Sequence, residues 1–334
     1  MRALTSQFNI GSFTFRGCYS CTVKKSIHNY RQTAFLTLPA SARLKSDAED
    51  LPSRQTAKQF KVGDKAEILL GYDGNLVREF EGFVSRVNFS QPVEIEFEGY
   101  SWLLRKACNV TASWKSTTLK EVLQKLVDTV NENRSENLVA LHPDIPNIPL
   151  KNIVINNATG TQIIDYIKGL FNGILQAFFI GNELYMGLSY ADVVRNTVKY
   201  RLNWNTYPPN NLKFREADEV QVKVEIKFRN DTGKQVTTTA GKEGGIVRRD
   251  NLTVVTDNNT IKRIAEAKLA QETFDGYEGN IATKLAPFCQ HGWRAEVEDL
   301  QYPERSGIYF VESTTVVYGV SGTRRTIELG IRLV

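Results

Sequence analysis

Hydrophobic and polar residues alternate along much of the first hundred positions of the chain. Residues 93–98, for example, read Val-Glu-Ile-Glu-Phe-Glu. Such alternation places apolar side chains on one face of a strand and polar side chains on the other, as in an antiparallel sheet with one buried face. The pair Asp73-Gly74, between two further strand patterns, is a strong signal for a two-residue hairpin turn. Residues 1–107 are therefore predicted to form antiparallel sheet.

The apolar period changes to that of a helix near residue 108. Thr118 and Glu121 have the spacing of a capping box, in which each side chain accepts a hydrogen bond from a free backbone N–H at the helix start. Apolar residues follow at helical spacing. Thr159 and Gln162 form a second capping box, and strand patterns lie beside both helices. We interpret residues 108–195 as a small α/β domain.

Alternation returns in the last third of the chain. The segment Val220–Phe228 alternates apolar and charged residues without a break. One helix is predicted at about 261–273, and further strands are predicted at 295–298, 308–317 and 325–333. The chain thus reads as sheet, α/β and sheet, with residues 196–334 as the second sheet region.

Composition is that of a globular protein, with 41% hydrophobic and 24% charged residues. The formal net charge of +5 is too small and too dispersed for a dedicated nucleic-acid-binding protein. No apolar run approaches the ~18 residues that a transmembrane helix needs, and the N-terminus lacks the apolar core of a signal peptide. Membrane insertion is therefore not expected. Cys18 and Cys21 form an isolated CxxC in a strand pattern, which favours neither a zinc site nor a redox site.

Residues with catalytic or metal-binding chemistry are scattered along the chain. The three histidines, His28, His142 and His291, lie in three different segments and at no metal-ligand spacing. The latter two are expected to be solvated or hydrogen-bonded residues. Cys289 lacks an evident orienting partner for thiol catalysis. We predict no catalytic, cofactor-binding or metal-ligating residue and no cofactor, and hence a protein that is not an enzyme.

Two other patterns resemble catalytic or phosphate-binding motifs but lack the required spacing. Glutamates at 94, 96 and 98, and at 296 and 298, have the i, i+2 spacing of one strand face, which predicts a solvated face rather than a glycosidase pair. The glycine-rich segment 241–245 lacks the spacing of a phosphate-binding loop. We interpret it as a loop at a junction.

Two long stretches of the chain resemble one known family. The first begins at Phe60 and includes the hairpin glycines and the segment Phe97–Leu104; the second begins at Tyr277 and ends near Gly330. Its motifs are Tyr277–Gly279, Pro287-Phe288, His291-Gly292, Tyr302–Tyr309 and Arg324–Gly330. In this order they resemble the late-control-D proteins and Mu-type tail hubs of tailed phages, and the N-terminal part of type VI secretion spike proteins.

The resemblance implies a mainly β fold in which two similar antiparallel β-barrels flank a small α/β domain. It leaves open that a strand of the third region completes the first barrel. It also implies a structural baseplate-hub subunit, with three copies in a ring that links the tail tube to the central spike. The expected partners are further copies of the chain, the tube and spike proteins, and DNA that passes through the ring without sequence reading. The expected location is the virion tail, after assembly in the host cytoplasm.

If such a ring forms, polar strand faces must line its hole, because apolar faces are needed for the cores. The segment Val220–Phe228 supplies such a face in Lys223, Glu225 and Lys227. We predict that these residues line the lumen. An ordinary half-buried strand explains the same pattern equally well.

Two other functions were kept as alternatives. One is a tail-associated cell-wall hydrolase, which needs a carboxylate at the mouth of a pocket. The other is a host-glycan binding module, which needs exposed aromatic side chains. Trp102 and Trp293 lie in patterns that favour core positions instead.

Overall fold

A computed structural model describes residues 3–42, 54–107, 109–132, 138–188, 190, 196–216, 221–230 and 232–333. The protein is mainly β, with 53% of the described residues in strands and 17% in helices. This confirms that the fold is mainly β, as predicted; the two closed barrels that were part of the prediction are not detected among the described residues. Strands dominate where the sequence alternates with period two, and the long helices form where it changes to the helical period.

The first region folds as predicted into antiparallel strands. The turn between the seventh and eighth strands is the predicted hairpin, since Tyr72 pairs with Asn75 and both Asp73 and Gly74 have positive φ. Its strands are β1 (Leu4–Ile10), β2 (Phe13–Phe15), β3 (Ser20–Ser26), β4 (Thr33–Leu38), β5 (Ser41–Ala42), β6 (Arg54–Gln55), β7 (Lys65–Tyr72), β8 (Asn75–Asn88) and β9 (Val93–Glu98).

The middle region contains three of the four helices described. Both capping boxes are present, with Thr118 and Thr159 each accepting a hydrogen bond from the backbone N–H three residues on. Its elements are α1 (Ser101–Lys106), β10 (Val110–Thr118), α2 (Leu119–Asn131), β11 (Ala140–Leu141), β12 (Pro149–Ala158), α3 (Gly160–Leu170), β13 (Leu175–Ile180) and β14 (Glu183–Leu188).

The described part of the last third contains nine strands and the fourth helix, which begins three residues earlier than predicted. These elements are β15 (Thr197–Arg201), β16 (Thr206–Arg215), β17 (Val222–Arg229), β18 (Gln235–Gly241), β19 (Ile246–Leu252), α4 (Asn258–Glu272), β20 (Gly276–Thr283), β21 (Arg294–Glu298), β22 (Gly307–Gly319) and β23 (Gly322–Arg332).

One 13-stranded sheet joins the first and last regions. Its main path is β16-β20-β23-β22-β3-β4-β9-β8-β7-β1-β2, and β15 and β21 extend it from β22. Strand β22 makes this continuity possible, because it is 13 residues long and pairs with β21, β23 and β3. No closed barrel is detected among the described residues. The two sheet regions are thus hydrogen-bonded to each other through the pairing of β22 with β3.

Strand β17 is not part of this large sheet. It is the central strand of a separate three-stranded sheet, antiparallel to β18 and parallel to β19. Helix α4 packs on β17 and β18. The apolar residues of β17 are buried in the same cluster as the helices of the middle region. Val220 and residues 191–195 lie outside the described residues, and the domain limits at 107/108 and 195/196 remain predictions.

The buried hydrophobic residues form three clusters. The largest combines α2, α3, β13, β17 and α4; the second fills the first sheet region; the third lies between strands of the last region. The clusters do not follow chain order. Leu285 and Val316 belong to the second cluster, and Ile27 and Phe310 belong to the largest. The first and last regions thus each contribute apolar side chains to a core built mainly by another region.

Within the part of the chain that the structure describes, no helix is long and apolar enough to span a membrane.

Replacing Gly160 with Ala tests the packing of α3 against α1. A Cβ at Gly160 would lie 2.6 Å from the carbonyl oxygen of Leu104 and 2.8 Å from a methyl carbon of Leu126. We expect Gly160→Ala to lower the free energy of unfolding by about 1–3 kcal/mol, although alanine is the better helix former. Gly169 in the same helix has no neighbour within 4 Å of an added Cβ, so Gly169→Ala should be neutral or stabilising by up to about 1 kcal/mol. Urea unfolding measures both, and equal effects would contradict the packing argument.

Candidate functional site

The three residues predicted to line a lumen lie together on one face of β17. Lys223, Glu225 and Lys227 point away from the buried face of the strand. The ammonium group of Lys223 lies 3.0 Å from a carboxylate oxygen of Glu243 and 3.8 Å from one of Glu225. The hydrogen bond to Glu243 raises the pKa of Lys223. The face therefore carries charges of both signs. Its place in a lumen remains a prediction.

Sequence reasoning missed Arg249, which belongs to the same face. Strands β17 and β19 pair in parallel, which sets Arg249 opposite Glu225, and its Nε lies 3.0 Å from that carboxylate. Arg229 lies on the same face of β17, two residues beyond Lys227. Nothing in the local sequence of β19 shows which strand it will pair with, so only the tertiary structure reveals this contact.

A fully buried ion pair connects the last region to the first. The guanidinium group of Arg325 donates to both carboxylate oxygens of Glu79, at 2.6 and 3.2 Å. It also donates to the carbonyl oxygens of Leu285 and Cys289, at 3.1 and 2.6 Å. Both side chains are at most 3% exposed. A buried charge is tolerated only when it is paired and hydrogen-bonded. These contacts satisfy both carboxylate oxygens of Glu79 and both terminal nitrogens of Arg325, whereas Nε of Arg325 is buried without a hydrogen-bond partner among the described residues.

A bulge in β8 turns Glu79 inward. Ile68 of β7 pairs with Phe80 and the next residue, Leu69, pairs with Arg78, so Glu79 is the additional residue in the ladder. A bulge redirects the side chains around it. Strict alternation along β8 would place Glu79 on the opposite face from Phe80. The sequence does not reveal the register shift that turns it inward.

The backbone carbonyl of Phe179 joins all three regions. It accepts hydrogen bonds from Nε2 of Gln32, at 2.7 Å, and from Nε2 of His291, at 2.8 Å. His291 is 1% exposed. Burial, together with the nearby charge of Lys25, lowers the pKa of His291 to about 3. The imidazole is therefore neutral at ordinary pH, with its proton on Nε2.

Glu312 makes a second contact among the three regions. Its carboxylate lies 3.1 Å from Nε2 of His28 and accepts a short hydrogen bond from the hydroxyl of Tyr190. The hydrogen bond with Glu312 raises the pKa of His28. Each partner again comes from a different third of the chain, so this half-exposed cluster holds the regions together at the surface.

The remaining chemical candidates make internal contacts. Burial raises the pKa of the Cys289 thiol to about 11, which keeps it protonated and weakly nucleophilic. Nδ1 of His142 accepts a hydrogen bond from the backbone N–H of Asp144. His291 is buried rather than solvated, because the turn that carries it packs against β13. Among the described residues no group of three or more His, Cys, Asp and Glu side chains could hold a metal ion.

One glutamate prediction is wrong. Glu98 was expected on a solvated face with Glu94 and Glu96, but it is 7% exposed. Helix α1 begins three residues later and folds back over it, so that Arg105 lies 2.8 Å from its carboxylate and Ser101 donates to it. Glu296 and Glu298 are partly exposed and pair with cations of β15.

The two tryptophans predicted in the core make aromatic contacts there. Trp102 stacks on Phe83 with ring centroids 5.1 Å apart, and Trp293 packs edge-on against Phe288 at 5.4 Å. Both indoles are partly buried and pack against hydrophobic clusters.

Comparison with known proteins identifies the fold. No family model and no curated protein sequence matches the chain. A tail protein from Neisseria meningitidis MC58 is similar in structure, with a TM-score of 0.68 and 13% identity over 98% of this chain and 96% of that one. The 43 kDa tail protein of prophage MuSo2 from Shewanella oneidensis gives a TM-score of 0.62, also at 13% identity, over 97% and 98%.

A third structure comes from a secretion system. An E. coli protein described as a component of the type VI secretion system gives a TM-score of 0.57 at 9% identity, over 98% of this chain and 79% of that one. At such identities the likeness shows the fold. The chain therefore has the fold of phage tail proteins and type VI secretion components, which confirms at the level of structure the resemblance seen in its motifs.

Removing one partner of the buried ion pair should strongly destabilise the protein. Arg325→Met leaves the Glu79 carboxylate buried without its cation, and we expect a loss of about 3–5 kcal/mol in the free energy of unfolding. The double variant Glu79→Gln, Arg325→Met should recover part of that loss, since it removes the uncompensated charge. Urea unfolding of the four members of this cycle gives the coupling energy. Additive effects of the two changes would show that the pair does not act as a unit.

The lowered pKa of His291 predicts that the stability of the protein falls at acid pH. Because its pKa is lowered in the folded state, the unfolded chain binds the proton first, and stability falls as the pH drops from about 6.5 toward 3. One such group contributes a slope of at most about 1.4 kcal/mol per pH unit. The difference in unfolding free energy between the wild type and His291→Asn should therefore shrink across this window in urea titrations.

His28 supplies a control of opposite sign. Its pKa is raised in the folded state, so its contribution is present below pH about 6.5 and is lost as the pH rises through the folded pKa. His28→Gln should lose stability mainly at acid pH. The same pH dependence in both variants would refute the assignment for His291.

Proposed function

We propose that the chain is a structural baseplate-hub subunit of a phage tail or a related contractile injection machine. In this proposal three copies form a ring that links the tail tube to the central spike, and the ring is part of the virion tail after assembly in the host cytoplasm. The observation that carries the proposal is the likeness in fold to tail proteins over 97–98% of the chain.

The contacts between regions support a structural role. A part that joins a tube to a spike must keep its segments in fixed orientation under force. Three polar contacts here connect segments that lie far apart in sequence. They are the Arg325–Glu79 pair and the hydrogen bonds to the Phe179 carbonyl and the Glu312 carboxylate. Polar contacts of this kind favour one arrangement, because any other leaves more polar groups unpaired.

A non-enzymatic role follows from the same contacts. The fold-related proteins are structural tail and secretion components. Cys289 is a buried, protonated thiol and His291 is a neutral imidazole hydrogen-bonded to the backbone. We therefore propose that these side chains stabilise the fold rather than take part in a reaction, and that a cell-wall hydrolase, where the assembly uses one, is a separate protein.

The face of β17 suits a passage for DNA. Lys223, Lys227, Arg229 and Arg249 are balanced in part by Glu225 and Glu243. Dense positive charge would bind the phosphates through counterion release and slow their movement. A mixed, mildly positive face screens the phosphates without retaining them. We propose that this face lines the hole of the ring.

Lys227→Glu tests the ring and its lining together. Lys227 is exposed and has no ion pair among the described contacts, so the variant should fold with stability within about 0.5 kcal/mol of the wild type. Light scattering should give both the wild type and the variant a molar mass of three times 37.7 kDa, about 113 kDa. Particles that carry the variant should assemble but eject DNA more slowly.

Lys262→Glu on α4 is the matched control, because this lysine is also exposed and makes only a 3.9 Å pair with Glu266. Its particles should eject DNA at the wild-type rate. A monomeric mass for the wild type would overturn the ring, and equal ejection by both variants would overturn the lining while leaving the ring in place.

A further inference from the structure

A groove of about 640 Å³ lies where the turn between β22 and β23 meets the start of β16 and the segment after β20. Leu4, Tyr72 and Ala286 give it an apolar wall, and Lys284 and Arg324 give it two cations. A second cavity of about 290 Å³ adjoins it and shares Tyr72 and Ala286. The surface is therefore an elongated depression with apolar and basic parts.

The two cations of the groove make no ion pair among the described residues, unlike several arginines of neighbouring strands. Lys284 and Arg324 are exposed, and neither makes an ion pair with a carboxylate of the described residues. Three arginines of neighbouring strands do have such partners, with N–O distances of 3.0 to 3.6 Å. These pairs are Arg201–Glu298, Arg215–Glu278 and Arg332–Asp275.

Arg324 is held in place by an aromatic ring. Its guanidinium carbon lies 5.0 Å from the centroid of Tyr207. Arg305, by comparison, contacts two aromatic rings: its guanidinium carbon lies 4.1 Å from the centroid of Tyr302 and 4.7 Å from that of Phe214. Arg324 has one such ring, so its edge and other face can receive a further group.

The ring of Tyr72 in the apolar wall is also held in place. The hydroxyl of Tyr72 accepts a hydrogen bond from the backbone N–H of Leu285 at 3.3 Å. The described residues that line the groove include no carboxylate. Asp73, in the adjoining cavity, accepts a hydrogen bond from the backbone N–H of Ala3 at 2.7 Å. The positive charge of the groove is thus not neutralised from within.

We propose that this groove binds an extended, acidic segment of another protein chain. Carboxylates of the segment pair with Lys284 and Arg324, and its apolar side chains cover Leu4, Ala286 and the ring of Tyr207. Charge complementarity of this kind governs partner choice and association rate. A nucleic acid fits less well, because its backbone offers phosphates but no aliphatic side chains for the apolar wall. The proposal does not require the ring.

The test uses the full-length chain and a fluorescein-labelled peptide with the sequence Glu-Leu-Glu-Ala repeated three times. We expect binding by fluorescence anisotropy that weakens as salt is raised. The double variant Lys284→Gln, Arg324→Gln should raise the Kd by about tenfold or more. The matched control, Lys120→Gln with Lys125→Gln, removes the same charge from the exposed face of α2 and should change the Kd by less than about twofold.

Four outcomes would overturn the proposal. The first is the absence of peptide binding to the wild type. The second is an equal loss of binding in both double variants, which would show attraction to net charge rather than to the groove. The third is tighter, groove-dependent binding of a 20-nucleotide single-stranded DNA, which would assign the groove to nucleic acid. Unchanged binding of a peptide with Gln in place of Glu would also exclude a carboxylate ligand.

Discussion

The arrangement of the molecule depends on the buried pair of Arg325 and Glu79, which are 246 positions apart in the chain. A guanidinium group and a carboxylate taken out of water lose several kcal/mol of hydration each, and only close, well-oriented pairing restores it. The two residues must therefore meet in one geometry whenever the chain is folded. Because Glu79 lies in β8 and Arg325 in β23, that requirement fixes the first region against the last. The pairing of β22 with β3 continues the sheet across the same boundary.

The middle region is held by the same kind of contact. The carbonyl of Phe179 receives one donor from each of the other regions, and Glu312 receives Tyr190 and His28. The largest hydrophobic cluster adds β17 and α4 to this region, although they follow it in sequence by more than 25 residues. The outcome is a body whose parts share cores and polar contacts, while charged faces such as that of β17 remain outward. Such a division agrees with the proposed structural role, since the interior holds its shape and the exterior is left for contacts.

Adjacent residues of one strand show how the division arises. Arg325 points inward and finds its carboxylate within the chain, whereas Arg324 points outward over Tyr207 and has no carboxylate partner in the described residues. Strand alternation alone separates them. The same type of side chain is a structural element on one side of the sheet and, in the proposed groove, a site for an external ligand on the other. Charge at the surface of this protein is therefore best interpreted residue by residue, according to whether the chain itself supplies the partner.

The sequence by itself determined the local elements: both capping boxes, the hairpin at Asp73-Gly74, and the change from strand to helical period. These depend on residues a few positions apart, whose spacing is printed in the chain. It also carried the resemblance that the fold confirms. Only the tertiary structure decided that Glu98 is covered by α1, that a bulge turns Glu79 inward, and that β17 pairs with β19 outside the large sheet. The sequence placed Lys223, Glu225 and Lys227 on one strand face, but not Arg249 beside them. The physical reason is that register and burial are set by contacts between distant segments, and the period of a single strand does not encode them.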